Sequence, residues 1–355
     1  MTIAANQAYL NTRVSVMAAR LFDPALIASL THQDLGELAE RFGLAAVLDE
    51  HLTSRARSRA IEQALIQTLL SELTILIRPM LAAERKLVLD WGRKFALFNL
   101  KSLIRGKLYD LDPKDIRDNL YDLPANLRLL HRDDLFRAEN VLELLRQIEQ
   151  GPYSLIARQA REIFEQKREP FALEATIDQR YFAGLVRQVM QFHDDNLRPL
   201  QELMGAVLDR IDLLWLLRFR FSYQLSPSET FYQLIPSSRL LHRERLLALV
   251  NLESFEQVLA ALPPPLDLLL ADSVSVIDVQ KRMGTYMRRE ALRILRHGRA
   301  GVARAMAYLI LREMDLSMLF SLVQGRLLEL PEELVNIAVE LAEPTCPLGT
   351  MGAAA

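Results

Sequence analysis

A segment near residue 100 returns twice further along the chain, and a chain that repeats itself at such long spacing has few ways to fold. The segment is Phe95 to Ile116, FALFNLKSLIRGKLYDLDPKDI. Leu97, Leu100, Leu103, Ile104 and Leu108 recur at helical spacing and predict one buried face. Arg105 and Lys107 fall in the last turn, where cations suit the negative end of the helix dipole. Gly106 loosens that end. Asp112 before Pro113 reads as an N-cap with proline at the first helical position, so a second helix starts there.

The first counterpart runs from Asp212 to Thr230, DLLWLLRFRFSYQLSPSET. Asn99, Arg105 and Lys107 correspond to Asp212, Arg218 and Arg220, and Asp112-Pro113 corresponds to Ser226-Pro227 after one inserted residue. The second counterpart is Asp315 to Glu333, DLSMLFSLVQGRLLELPEE. There Gly325-Arg326 matches Gly106-Lys107, while Asp315 and Met318 both fit opposite Asn99. Two further markers follow the same rhythm. Leu129-Leu130-His131-Arg132 returns as Leu240-Leu241-His242-Arg243, each leading to a leucine-rich helix, and Leu21 to Leu44 has a similar pattern. Glu62 in IEQAL returns as Glu174 in LEATI and, loosely, as Asp278.

Periods of 20 to 50 residues mark the short solenoids. The spacing here is about twice that and predicts three helical modules, 1–116, 117–230 and 231–341, with a loose tail over 342–355. Modules in series either stack or close around an axis. Glycine is sparse, at 13 of 355 residues, and apolar residues recur at three- and four-residue spacing almost throughout, so the fold class is all-α.

A net charge of −2 gives no support for nucleic-acid binding. Only seven of the 43 basic residues are lysines. The arginine excess fits fixed, partly buried pairings, and genome base composition explains it equally well. The one cysteine, Cys346, excludes a disulfide framework and fits a reducing compartment. The opening MTIAANQAYLNTR lacks the basic region and apolar run of a signal peptide, and no uncharged apolar stretch reaches the roughly 18 residues of a membrane span.

Signals of chemistry are missing. There is no GxxxxGK, GxGxxG, GxSxG or CxxC pattern. The six histidines are scattered, and His193-Asp194-Asp195 reads as a polar helix end rather than a metal site. His131 and His242 hold equivalent repeat positions, which favours a structural role such as capping. No catalytic, cofactor-binding or metal-ligating residue is assigned. The candidates for partner binding are Arg105, Lys107, Arg218, Arg220 and Arg326. Any one of them reads first as a helix-end charge. Three modules around an axis would gather them into a basic rim suited to an acidic partner.

The segments Tyr9-Leu10-Asn11-Thr12-Arg13 with Arg20-Leu21, NLKSLIRGKL over Asn99 to Leu108 and IDQRYF over Ile177 to Phe182 resemble the C subunit of the V-type ATPase of bacteria and archaea, whose eukaryotic counterpart is the d subunit. The resemblance covers residues 7–341. It implies a funnel of three pseudo-threefold helical modules and no catalytic site or cofactor. It also implies a rotor coupling subunit, a socket between the central stalk and the membrane. The implied partners are rotor stalk subunits D and F and the membrane proteolipid ring. The implied location is cytoplasmic, peripheral on the membrane-bound ATPase complex, without a span of its own. The sequence departs from the family pattern where Phe219 replaces Gly106, and where Pro263-Pro264-Pro265 replaces Gly151-Pro152. A helical scaffold or adaptor that takes partner helices in a groove is the other reading, and an all-helical enzyme the least supported.

Overall fold

A computed structural model describes residues 3–49, 53–128, 132–192 and 197–341. It is all-α, and no strand occurs among the described residues. The first LLHR marker at residues 129–131, the His193-Asp194-Asp195 cluster and the 342–355 tail with Cys346 lie outside them.

One construction recurs along the chain. A long helix leads into a second helical run, and a pair of short helices stands before the first long helix and after each of the first two runs. The long helices are Ser54–Ile77, Pro170–Met190 and Val276–His297. The runs after them are Ala82–Gly92 with Lys94–Leu108, Arg198–Leu217, and Gly301–Leu327. The short pairs are Pro24–Leu30 with Leu35–Phe42, Arg132–Arg137 with Val141–Ile148, and Arg243–Val250 with Phe255–Ala260.

Local sequence dictates where the short helices begin. The second member of each pair starts at a polar N-cap: Asp34, Asn140 or Ser254. Each cap side chain accepts the backbone N–H three residues on, at 2.8, 3.0 and 3.2 Å respectively. The residue at that third position, Glu37, Glu143 or Gln257, accepts a backbone N–H from just upstream in return. Such a reciprocal cap satisfies donors that the helix leaves open. Asp23 and Asp112 cap helices that open on proline, as the sequence predicts, accepting from Leu26 and Lys114 at 2.7 Å.

The chain divides into two compact units, and the division falls inside helices Ile3–Ala18, Pro170–Met190 and Gly301–Leu327. The first unit comprises Ser15–Tyr181 and the chain from Arg312 onward. Its core includes Leu97, Leu100, Leu103 and Ile104, all fully buried, against which Val141–Ile148 packs. Burying each such side chain stabilises by about 1.5–3 kcal/mol. The second unit comprises Ile3–Val14 and Phe182–Leu311. Its principal packing sets Arg198–Leu217 against Val276–His297, burying Leu213, Leu216, Val279 and Met283.

Ala56–Ile77 is the one described helix long and apolar enough, by length and composition, to cross a membrane, and half of that stretch is buried in the fold. It does not stand out in the sequence because Glu62, Glu72 and the arginines at its start interrupt the apolar run.

Candidate functional site

The repeated segment is built around one buried polar side chain. In the first copy Asn99 accepts the Tyr121 N–H at 2.7 Å and donates its Nδ2 to the Tyr121 carbonyl at 2.9 Å. In the second, Asp212 accepts the Ile235 N–H at 2.8 Å. In the third, Asp315 accepts the Phe22 N–H at 2.8 Å. The register that spacing leaves open between Asp315 and Met318 therefore falls on Asp315. Its partner lies at the chain's beginning, so the third copy is completed by the N-terminal segment. In all three, the side chain fastens the stretch of backbone that leads to the short-helix pair.

A turn closes each of the three helical runs. Leu111 donates to the Gly106 carbonyl at 2.9 Å, Leu330 to that of Gly325 at 2.9 Å, and Leu225 to that of Phe219 at 2.8 Å. A left-handed residue stands before each leucine: Asp110 at φ 51°, Gln224 at φ 55° and Glu329 at φ 50°. This is the geometry of a helix stop that hands orphan carbonyls to the following chain. The residue inserted in the second copy is absorbed by a π-helical turn over Arg218–Ser222. Glycine is required where the next helix crowds the turn. A Cβ at Gly106 would sit 2.3 Å from Ile116 Cδ1, and one at Gly325 would sit 2.4 Å from Val335 Cγ2. In the second copy Phe219 is buried and the residue matching Ile116 is Thr230, also buried.

The five candidate cations all have internal partners. Lys107 donates to the Ala138 carbonyl, Arg220 to that of Val250 at 2.8 Å, and Arg326 to that of Thr31 at 2.5 Å. Each of these carbonyls stands at the C-terminal end of the first short helix of a pair, where a cation is favourable. Arg220 also donates to Leu225 at 2.7 Å. Burial lowers the Lys107 pKa. Arg105 forms a fork with Glu174, at 2.6 and 2.5 Å, and that hydrogen bonding raises its pKa against the opposing effect of burial. Arg218 donates Nη2 to Gln280 at 2.7 Å. Spacing alone groups these residues as one basic set. By contact they are two: helix-end caps (Lys107, Arg220, Arg326) and cross-helix pairs (Arg105, Arg218).

Cross-helix pairing also has an equivalent in the third copy, where Gln324 donates to Ser58 at 2.5 Å. One turn before Arg105, Lys101 reaches both oxygens of Asp178 at 3.0 and 2.9 Å, with both side chains buried. Burial raises the Asp178 pKa, and Lys101 opposes that shift. The acidic marker is less regular than its spacing implies. Glu174 meets Arg105, whereas Glu62 pairs with Arg59 and accepts from the Tyr121 hydroxyl, each at 2.5 Å. Asp278 instead accepts from Ser275 at the start of its own helix.

Several buried polar groups escape a reading by spacing. Asp209 is fully buried and accepts from Ser237 at 2.5 Å, Leu240 at 3.3 Å and Leu241 at 2.9 Å, so it holds the second LLHR marker in place. His242 occupies the N-cap of the following helix without a side-chain cap bond, and its ring meets Glu244 at 2.8 Å instead. Glu72 receives Arg20 at 3.1 Å and Arg312 at 3.3 Å, and Lys94 meets Glu313 in the core. A charge on an otherwise apolar helix face is the signal that marks Glu72 and Lys94.

In the first unit, a small crevice is lined by Glu62, Leu65, Leu69, Phe95, Glu313 and Phe320. An open polar cleft beside Arg326 is lined by His32, Asp34 and Glu332. Among the described residues, no group of three or more His, Cys, Asp or Glu side chains is placed to hold a metal.

Comparison with known proteins matches this chain over residues 10–336 to the pattern of a family described as ATP synthase (C/AC39) subunit. The C subunit of the A-type ATP synthase of Methanocaldococcus jannaschii is 22% identical over 350 residues, covering 94% of this chain and 86% of that protein. Its equivalent in the A-type ATP synthase of Methanosphaera stadtmanae is 26% identical over 219 residues, 59% of this chain and 53% of that one. The equivalent in Archaeoglobus fulgidus is 25% identical over 149 residues, 41% and 43% of the two chains.

Proposed function

The chain belongs to the ATP synthase (C/AC39) subunit family, and from that premise we propose that it is the non-catalytic rotor coupling subunit of a V/A-type ATPase. The observation that carries this reading is the family match across residues 10–336, nearly the whole chain. Membership makes the chain one subunit of a larger complex. The finer role is that of a socket: it links the rotor stalk, subunits D and F, to the membrane proteolipid ring, sitting peripherally on the cytoplasmic face.

Three modules, 1–116, 117–230 and 231–341, closing about an axis would give such a socket its shape. The recurrence of one polar anchor and one turn in three copies supports this arrangement. So does the dependence of Asp315 and Arg326 on Phe22 and Thr31, through which the last repeat draws on the first residues of the chain.

Arg105, Lys107, Arg218, Arg220 and Arg326 are the proposed contacts to the stalk. All five are half-buried, and Arg218 is the strongest of them because its charge meets the neutral side chain of Gln280, whereas Arg105 is paired with Glu174 and the other three are turned onto backbone carbonyls. Purified stalk subunits titrated against the wild-type chain and Arg218→Ala test this. Weaker binding of the variant, with the difference shrinking as salt rises, supports the assignment. Equal affinity at every salt concentration removes Arg218 from the contact.

A further inference from the structure

The turn after Gly301–Leu327 and the Glu332–Glu340 helix expose four apolar side chains. Leu328 is 52% exposed, Leu330 41%, Leu334 52% and Ile337 47%, while Val335 and Val339 on the same helix face the core. Glu329, Glu332, Glu333 and Glu340 stand among them on the surface, and residues 328–341 contain no lysine, arginine or histidine. An exposed apolar group rimmed by a single sign of charge marks an interaction site.

The construction is not confined to one copy. Tyr109, 64% exposed, and Leu111 flank the left-handed Asp110, and Tyr223 stands exposed beside the left-handed Gln224. Each of these left-handed residues belongs to the turn that stops a helical run. The turn recurs in three copies, and each time it presents an apolar side chain to solvent beside an acidic or polar one.

We propose that the surface formed by Leu328, Leu330, Leu334 and Ile337 docks a segment of a partner subunit that carries lysine or arginine beside apolar side chains. The apolar groups of that segment cover the leucines and Ile337, and its cations meet Glu329, Glu332 and Glu333. Four glutamates would be repelled by anionic lipid headgroups, which makes a membrane surface the poorer occupant. A second copy of this chain, meeting the same acidic face, would set like charges together. The inference rests on the reading that this chain works inside an ATP synthase complex. It also reverses the sign of the expected contact at this point: the exposed charge here is acidic, whereas the cation Arg326 is turned onto Thr31.

The test uses the complex purified without this chain, immobilised, and the full-length chain added back at low and at high salt. Leu334→Ser/Ile337→Ser should bind about tenfold more weakly at both salt concentrations. Glu329→Lys/Glu332→Lys/Glu333→Lys should bind more weakly at low salt, chiefly through slower association, with the deficit shrinking at high salt. A photoreactive group on Leu334→Cys should cross-link to a lysine- or arginine-containing segment of the complex. Wild-type binding with both multiple variants binding equally well overturns this inference alone. So does a cross-link only to lipid or to a second copy of the chain. A wild-type chain that fails to bind the depleted complex overturns the coupling reading and this inference with it.

Discussion

Asn99 and Tyr121 hold each other by two hydrogen bonds, the Tyr121 N–H donating to Oδ1 and Nδ2 donating to the Tyr121 carbonyl, at 2.7 and 2.9 Å in a buried setting. One amide side chain thus serves both polar groups of a backbone unit 22 positions away. Asn99→Ala leaves both without that partner, and each buried unpaired group costs about 1–3 kcal/mol. A melting temperature several degrees below wild type is the expected result, measured by circular dichroism. An unchanged melting temperature would show that water replaces the side chain without cost.

Asp212 sits at the matching position with a different chemistry. Burial holds its pKa well above the ordinary 3.8, the nearby Asp209 adds to the rise, and the Ile235 N–H opposes it. Its Oδ2 has no hydrogen-bond partner among the described residues. The folded state therefore favours the neutral acid. That contribution to stability is fully present below the unfolded value and is lost as the pH climbs through the raised one. Asp212→Asn keeps the shape, accepts the same N–H and cannot ionise. The variant should gain stability over wild type as the pH rises from acid toward neutral and above. Denaturant unfolding across that range reads the difference, and parallel curves for the two proteins would contradict it.

Much of this architecture is legible in the sequence. Of the five residues spaced for one buried face, Leu97, Leu100, Leu103 and Ile104 form it, while Leu108, at the end of the helix, is only half-buried. The inserted residue before Ser226-Pro227 shows in the alignment of copies and takes physical form as the π-helical turn. The partners of the cations are not legible. Nothing local to Arg326 points to Thr31, because that pairing spans almost the entire chain. For the same reason, spacing leaves Asp315 and Met318 level, and only the Phe22 hydrogen bond separates them. Periodicity reports which face is buried; it does not report which backbone carbonyl a long side chain will reach.

Gly106 owes its place to Ile116. A Cβ there would lie 2.3 Å from Ile116 Cδ1 and 2.6 Å from Cγ1. Gly106→Ala should destabilise by about 1–3 kcal/mol through overpacking, although alanine favours helix elsewhere. Combining it with Ile116→Ala removes the clash, so the double variant should lose less than the sum of the two single changes. Strict additivity in chemical denaturation would place the strain elsewhere.

Lys101 and Asp178 form a closed pair with both side chains buried. Lys101→Met strands a carboxylate that burial already disfavours, at a cost of about 3–5 kcal/mol. Lys101→Met/Asp178→Leu removes both charges and should recover most of that loss. A double variant as unstable as Lys101→Met would mean that packing volume, not charge, sets the cost.

The coupling role is tested most directly in membrane vesicles carrying the complete ATPase, stripped of this chain and then given it back. ATP-driven ion uptake and ATP hydrolysis are recorded together before and after the addition. The account predicts no ion uptake from the stripped vesicles, even where hydrolysis by the soluble sector persists, and uptake restored in proportion to the chain rebound. Full ion uptake in vesicles that lack the chain would contradict it.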